Sequence, residues 1–210
     1  MLYLDSADRT ALTPLLETGI FSGVTTNPLI LHRAGLTATD LPALADWVAG
    51  FDGARFFAQA TGRTIADVRA SADRVAALGD RVVIKLVCNT AGLTVAKELT
   101  DAGREVLITA VYHPTQMLLA SAVSAQFIAP YVRRSGEAGR DGTALVRGLR
   151  ELGSETGPRI LAASLSTVEM LQSAMEAGSH DATISPALAS SLLDDELTGA
   201  AAEEFEAVAR

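Results

Sequence analysis

Arg81-Val-Val-Ile-Lys-Leu-Val87 is the stretch on which the reading turns. A short, continuous run of β-branched and aliphatic residues is the pattern of a strand covered on both faces, as in parallel sheets. One lysine, Lys85, sits in its middle. An ammonium buried without a partner is costly, and the usual relief is a lowered pKa. A lysine that is neutral near pH 7 is a nucleophile suited to Schiff-base chemistry with a carbonyl compound. The alternative is that Lys85 reaches a rim and snorkels, or pairs with a carboxylate.

On either side of this run, strand and helix signals alternate. Strand signals fall at Leu2–Leu4 (ending in Asp5), Gly23–Thr25, Arg55–Gln59, Val106–Val111, Phe127–Ala129, Arg159–Ala163 and Asp181–Ile184. Helical patterns are expected over Arg9–Glu17, Asp40–Val48, Thr64–Leu78 (with Thr64 as cap), Asn89–Ala102, Pro114–Ala125, Gly142–Leu152 and Ser166–Glu176. Two more, Ala187–Leu193 and Glu196–Val208, finish the chain. Thr26-Asn-Pro28 reads as a turn, and Gly136, Gly139 and Gly142 as a flexible loop rather than a dinucleotide site. Eight strands alternating with helices imply parallel strands with crossovers. The expected fold is α/β, a single (β/α)8 TIM barrel with an extra C-terminal helix, occupying residues 1–210 as one domain. A doubly wound open sheet is the alternative.

Composition sets bounds. The chain has 210 residues, 49% of them hydrophobic, and a net charge of −8. That charge argues against nucleic acid or an anionic membrane as partner, while a small anionic substrate would need local positive charge. No window approaches the ~18 apolar residues of a membrane span, and no signal peptide pattern opens the chain, so a cytoplasmic location is expected. One cysteine, Cys88, excludes a disulfide framework and reads as a small buried residue. His32, His113 and His180 are scattered with no ligand spacing, so no metal site is indicated.

In a barrel of this kind, chemistry sits at the C-terminal ends of the strands. Polar residues collect there: Asp5, Thr25, Asn27, Gln59, Thr109, Tyr131 and Ser164, with Lys85 among them. One polar strand end would carry little weight, but seven converging on a buried lysine favour the Schiff-base reading. Arg133-Arg134 lies at the mouth, either as a solvated pair or as a phosphate clamp. The acidic segment from Asp194 to Glu206 reads as a solvated helix face.

Several of these segments carry a resemblance. Gly23-Val-Thr-Thr-Asn-Pro28 resembles the N-terminal signature of transaldolases, and Val83-Ile-Lys-Leu86 resembles their Schiff-base lysine segment on strand four. Thr109-Ala-Val-Tyr112, Ala129-Pro-Tyr-Val-Arg-Arg134 and Leu161-Ala-Ala-Ser164 are similar to segments of the short members, which include fructose-6-phosphate aldolases. The resemblance implies that Lys85 attacks a ketose carbonyl and that Asp5 handles a hydroxyl proton. It implies that Thr25 and Asn27 orient substrate and lysine, and that Gln59, Thr109 and Tyr131 hold a proton-shuttling water. Arg134 and Ser164 would bind a phosphate. No cofactor or metal is implied, because the imine does the activation. The partners implied are a ketose or sugar phosphate and an aldehyde, acted on by a homo-oligomer.

Conventional transaldolases have Glu and Phe where Gln59 and Tyr131 stand, and the aldolases have Gln and Tyr. A tyrosine hydroxyl can protonate the enamine and release dihydroxyacetone, so the sequence leans to aldolase, with transaldolase as the alternative and, behind both, a barrel that binds a sugar phosphate without turnover. Three departures are visible. Val87 replaces a common proline, and Ser166 replaces a common basic residue, leaving Arg134 as the main anion partner. The C-terminus is shorter than in the aldolases, where the last helix reaches a neighbouring subunit, and this bears against a decamer.

Overall fold

The computed structural model describes residues 1–209. Eight parallel strands pair in chain order and close on themselves. They are β1 (Leu2–Asp5), β2 (Gly23–Thr25), β3 (Arg55–Gln59), β4 (Val82–Val87), β5 (Val106–Val111), β6 (Phe127–Pro130), β7 (Arg159–Ala162) and β8 (Asp181–Ile184). The expected (β/α)8 barrel is present and the open sheet is excluded.

Side chains alternate between the two faces of each strand. Val24, Phe56, Ile84, Ile108, Ile128, Ile160 and Ile184 face the helices and join one large core. Tyr3, Phe57, Val83, Leu107, Phe127 and Leu161 face inward and form a second, separate core inside the barrel. Its aromatic rings meet edge-to-face, Tyr3 on Phe57 at 5.1 Å and Phe57 on Phe127 at 5.4 Å. The barrel is therefore filled below the level of the polar strand ends.

Gly23 shows why the first turn of the Gly-Val-Thr-Thr-Asn-Pro segment needs glycine. Its φ is +139°, and a Cβ there would lie 2.0 Å from the Arg55 carbonyl oxygen of β3. Among the crossover helices, α1 (Arg9–Glu17), α4 (Ile65–Ala76) and α8 (Gly142–Leu152) fall where the sequence pattern puts them. Thr64 caps α4 in a reciprocal capping box with Asp67, as the sequence suggests. A C-terminal helix, α11 (Glu196–Val208), follows α10 (Pro186–Leu193). No residue of α11 is buried, yet it exposes Leu197, Phe205 and Val208 as well as its acidic residues.

Two short helices correct the sequence reading. The Asn-Pro turn is the start of α2 (Pro28–Arg33), with Asn27 as its N-cap and Pro28 at the first helical position, where its missing N–H costs nothing. The supposed glycine loop begins inside α7 (Val132–Glu137), which contains Gly136, and ends at Gly142, the first residue of α8. Gly142 is needed for close packing rather than mobility: a Cβ would lie 2.4 Å from the Val132 carbonyl oxygen. Cys88 is half-buried rather than buried, and burial pushes its thiol pKa up. Among the described residues, no helix is long and apolar enough to cross a membrane.

Candidate active site

The site is built from Lys85 outward. β4 points Val83 and Lys85 to the barrel interior, so the lysine stem rises from the internal core, and the residue is only 5% exposed. Its Nζ donates to the Thr26 carbonyl oxygen at 2.8 Å. That oxygen is fixed because Thr26 itself bonds the Phe57 carbonyl twice, through its N–H and its hydroxyl, both at 2.9 Å. No carboxylate pairs with the amine among the described residues. Burial lowers the Lys85 pKa, and the negative charge of Asp5 offsets part of that effect. The neutral amine is thereby favoured. The alternatives of a snorkelling or ion-paired lysine do not hold.

Asp5 ends β1 and faces the same space. Burial raises its pKa, opposed by the charge of Lys85, a hydrogen bond from Thr25, and the charges of Arg134 and Arg33. Thr25 Oγ1 donates to Asp5 Oδ1 at 2.6 Å and lies 2.6 Å from Thr183 Oγ1. An ionised carboxylate only accepts, so the Thr25 proton goes to Asp5 and the Thr183 proton goes to Thr25. Asp5 thus sets the polarity of a three-residue chain that starts at the Thr183 hydroxyl and ends on its own carboxylate.

On the far side, Thr109 Oγ1 donates to the Tyr131 hydroxyl at 3.1 Å. Burial raises the Tyr131 pKa, so the phenol holds its proton. A β-bulge in β5 arranges this wall. Ile108 pairs Ile128 and Val111 pairs Pro130, so two residues oppose one, and Ala110 takes a left-handed φ of +57°. The extra residue turns Val111 outward into the helix-facing core and Tyr112 inward, where its ring meets Tyr131 edge-on at 5.8 Å. Arg134 on α7 stacks over the Tyr131 ring, with its guanidinium carbon 5.1 Å from the ring centroid. Ser164, at φ +59°, carries a buried hydroxyl with no hydrogen-bond partner among the described residues.

One cavity of about 70 Å3 gathers Lys85, Asp5, Thr25, Asn27, Thr109, Tyr131, Arg134 and Ser164. The structure therefore brings together eight of the nine residues singled out from the sequence. Gln59 is the one left out. It pairs with Lys85 in the strand register but lines two other spaces, one with Val87, Asn89 and Gly92 and one with Pro28, Leu31 and Ser71. Asn27 spends its side-chain oxygen on capping α2, accepting from Leu29 and Ile30 N–H groups at 2.9 and 3.0 Å, which leaves its amide NH2 for the cavity. Thr183 and Arg33 also line the cavity, and neither was singled out from the sequence. Ser166 is exposed, with its hydroxyl 3.4 Å from the Met170 sulfur, and it does not line the cavity. Among the described residues no group of three or more His, Cys, Asp or Glu is placed to hold a metal ion.

An eightfold barrel with a desolvated amine, a protonatable carboxylate and a phenol around one cavity at its C-terminal end has the layout of a barrel enzyme acting on a small carbonyl compound. A family model described as "Transaldolase/Fructose-6-phosphate aldolase" matches residues 2–210, and the chain belongs to that family. Similar curated proteins carry the name "Probable transaldolase". One from Chelativorans sp. (strain BNC1) is 31% identical over 206 residues, covering 97% of this chain and 93% of its own. Another, from Streptococcus agalactiae serotype V, is 31% identical over 205 residues, covering 97% and 94%. The chain is accordingly an enzyme of the aldolase/transaldolase type. A solved structure described as "Native KDPGal structure" superposes with a TM-score of 0.61 at 17% identity, covering 87% of this chain and 80% of that one, and shows the shared fold.

Proposed function

We propose that the chain is a Schiff-base aldolase that cleaves or forms the C3–C4 bond of a ketose or ketose phosphate, with dihydroxyacetone as the donor unit. The observation that carries this reading is the buried, unpaired Lys85 amine held 2.8 Å from the Thr26 carbonyl and facing Asp5 and Tyr131 across one cavity. Neutral Lys85 adds to the C2 carbonyl, and loss of water gives the protonated imine. Asp5 takes the C4 hydroxyl proton, the C3–C4 electrons move to the imine nitrogen, and the aldehyde leaves. Its raised pKa suits Asp5 to accept that proton. Tyr131, held by Thr109, supplies a proton to C3 of the enamine, and hydrolysis then returns dihydroxyacetone and the free amine. Thr25 and Asn27 orient the substrate, and Arg134 and Ser164 take its phosphate. Gln59, beside Lys85 in the strand register, would hold the hydrolytic water.

A second reading is transaldolase, in which the enamine waits for an aldehyde acceptor. The placement of Gln59 outside the lysine cavity favours it, because less is then present to order the hydrolytic water. As part of the same proposal, the enzyme works as one domain in the cytoplasm and as a homo-oligomer. The last point is supported by α11, which exposes Leu197, Phe205 and Val208 without burying any residue.

The test is the ratio of dihydroxyacetone released to dihydroxyacetone transferred, with fructose 6-phosphate alone and with added erythrose 4-phosphate. General-acid help is worth ~10²–10⁴-fold. Tyr131→Phe is expected to suppress release by about that factor while transfer falls less. A wild-type protein that only transfers would establish the second reading in place of the first.

A further inference from the structure

We propose that Arg33 is a specificity-determining residue, gripping the phosphate-monoester end of the aldehyde substrate from the wall opposite Arg134. For the identity of that aldehyde the inference rests on the aldolase reading above. Three cations other than Lys85 line the cavity: Arg33, Arg133 and Arg134. Arg133 is committed to an ion pair with Glu137 one turn along α7. Arg33 and Arg134 have no carboxylate partner among the described residues. Arg134 follows β6 and Arg33 lies on the helix that follows β2. In a closed ring of eight consecutive strands these positions are four apart, on opposite sides of the mouth.

The mount of Arg33 is rigid. Asn27 caps the start of α2. At its end Gly35, at φ +71°, closes the helix, with its N–H donating to the His32 carbonyl at 3.0 Å and the Leu36 N–H reaching back to the Leu31 carbonyl at 2.8 Å. The backbone of Arg33 is therefore tied down at both ends of the helix, and its side chain lines the cavity on one side and a space with Asp8 and Asp40 on the other. The charges of Arg134 and Arg33 both lower the Asp5 pKa against its burial, as expected of guanidinium groups that line the same cavity.

The chemistry of the rim calls for a second cation. A phosphate monoester carries −1.5 to −2 charges near pH 7, and two guanidinium groups match it better than one. The whole chain carries a net charge of −8, so local cations must supply the attraction. A cation placed two residues after Ser164 would belong to the β7 wall, but Ser166 stands there, outside the cavity and turned to Met170. Arg33 provides the missing charge from the β2 wall instead. Leu29 and Ile30 of the same helix line the cavity beside it, and they offer apolar contact to the carbon chain between the imine and the phosphate.

The experiment compares Arg33→Gln and Arg33→Lys with the unaltered protein in two assays. The first is aldol addition of dihydroxyacetone to glyceraldehyde 3-phosphate and to glyceraldehyde. The second is calorimetric binding of glycerol 3-phosphate, which has no carbonyl and needs no imine. A charge-assisted contact at an exposed position sits at the low end of its range, so a loss of about 10-fold is expected. Arg33→Gln should raise KM for glyceraldehyde 3-phosphate by that factor with kcat unchanged, weaken glycerol 3-phosphate by the same factor, and leave glyceraldehyde unaffected. Arg33→Lys should recover part of each. Equal losses for the two aldehydes, or unchanged affinity for glycerol 3-phosphate, would overturn the assignment. Arg33-dependent binding of glycerol 3-phosphate in a protein that performs no aldol addition would uphold the anion site and overturn the aldolase reading.

Discussion

The two ends of the barrel treat charge in opposite ways. At the N-terminal end every interior charge is matched. Asp181, fully buried on β8, accepts two hydrogen bonds from Arg159 at 2.9 Å each and pairs with the Met1 ammonium at 2.6 Å. Beside it Arg55 pairs with Glu105 at 3.0 Å and lies over the Phe127 ring. At the C-terminal end Lys85 is nearly as buried but donates only to a backbone carbonyl, and among the described residues no carboxylate is ion-paired with it, with Arg33 or with Arg134. The internal aromatic core of Tyr3, Phe57 and Phe127 separates the two ends. One end spends its charges on holding the fold together, and the other holds them ready for a substrate. The free-energy cost of a reactive site is thus confined to one face of the molecule.

The largest effect predicted from this contrast is on stability, at the paired end. Burial alone would raise the Asp181 pKa, but the Arg159 hydrogen bonds and the terminal ammonium hold it below the usual value. Asp181→Asn should destabilise the fold by about 2–3 kcal/mol. That is less than the ~3–5 of a fully buried pair, because Arg159 and the ammonium are both half in water. Urea unfolding measures it, and imine formation by the folded fraction should not change. A depressed carboxylate contributes stability that is present above its unfolded pKa and lost as pH falls through the folded one. The acid limb of the wild-type stability curve should therefore flatten in Asp181→Asn. A variant as stable as wild type would break the comparison from this side.

A smaller effect, of opposite sign, is expected at the unpaired end. Lys85→Met removes a buried amine whose burial is only partly offset by the Asp5 charge and keeps the packing of the stem, so it should stabilise the protein by about 1–2 kcal/mol while abolishing catalysis. The Lys85 pKa is lowered in the fold, so between that value and the ordinary 10.5 the unfolded chain binds more protons. Wild-type stability then rises with pH across this window, and the advantage of the methionine variant shrinks. An advantage that is independent of pH, or a loss of stability, would show that the amine is not strained by burial.

The contrast between the ends also governs what the sequence discloses. Strand positions and the polar strand ends are legible because each strand carries its own period and each site residue its own chemistry. Lys85 stands out within an apolar run, and eight of the nine residues singled out share its cavity. The features that stay hidden are those with no local signal. The six residues of α2 are too few to show helical periodicity, and its Asn-Pro start is also a turn signature, so Arg33 could not be assigned to a wall. Gly136 inside α7 mimics a loop. The bulge that turns Tyr112 inward sits at Ala110, where a glycine would have announced it. The acceptor for the Lys85 amine is the Thr26 main chain, which leaves no mark in a sequence. Thr183 lies in a four-residue strand buried on both faces, so alternation does not single it out. Gln59 is legible as a strand end, but the register beside Lys85 does not ensure a shared cavity.

The central claim is that the buried, unpaired amine of Lys85 is the nucleophile. It is tested by incubating the protein with dihydroxyacetone, reducing with borohydride and mapping the adduct by peptide mass spectrometry. The expected result is one reduced three-carbon adduct on Lys85, absent from Lys85→Met and formed at an undiminished level in Asp181→Asn. An adduct on Lys97, the other lysine of the chain, or labelling that survives Lys85→Met, would contradict the account.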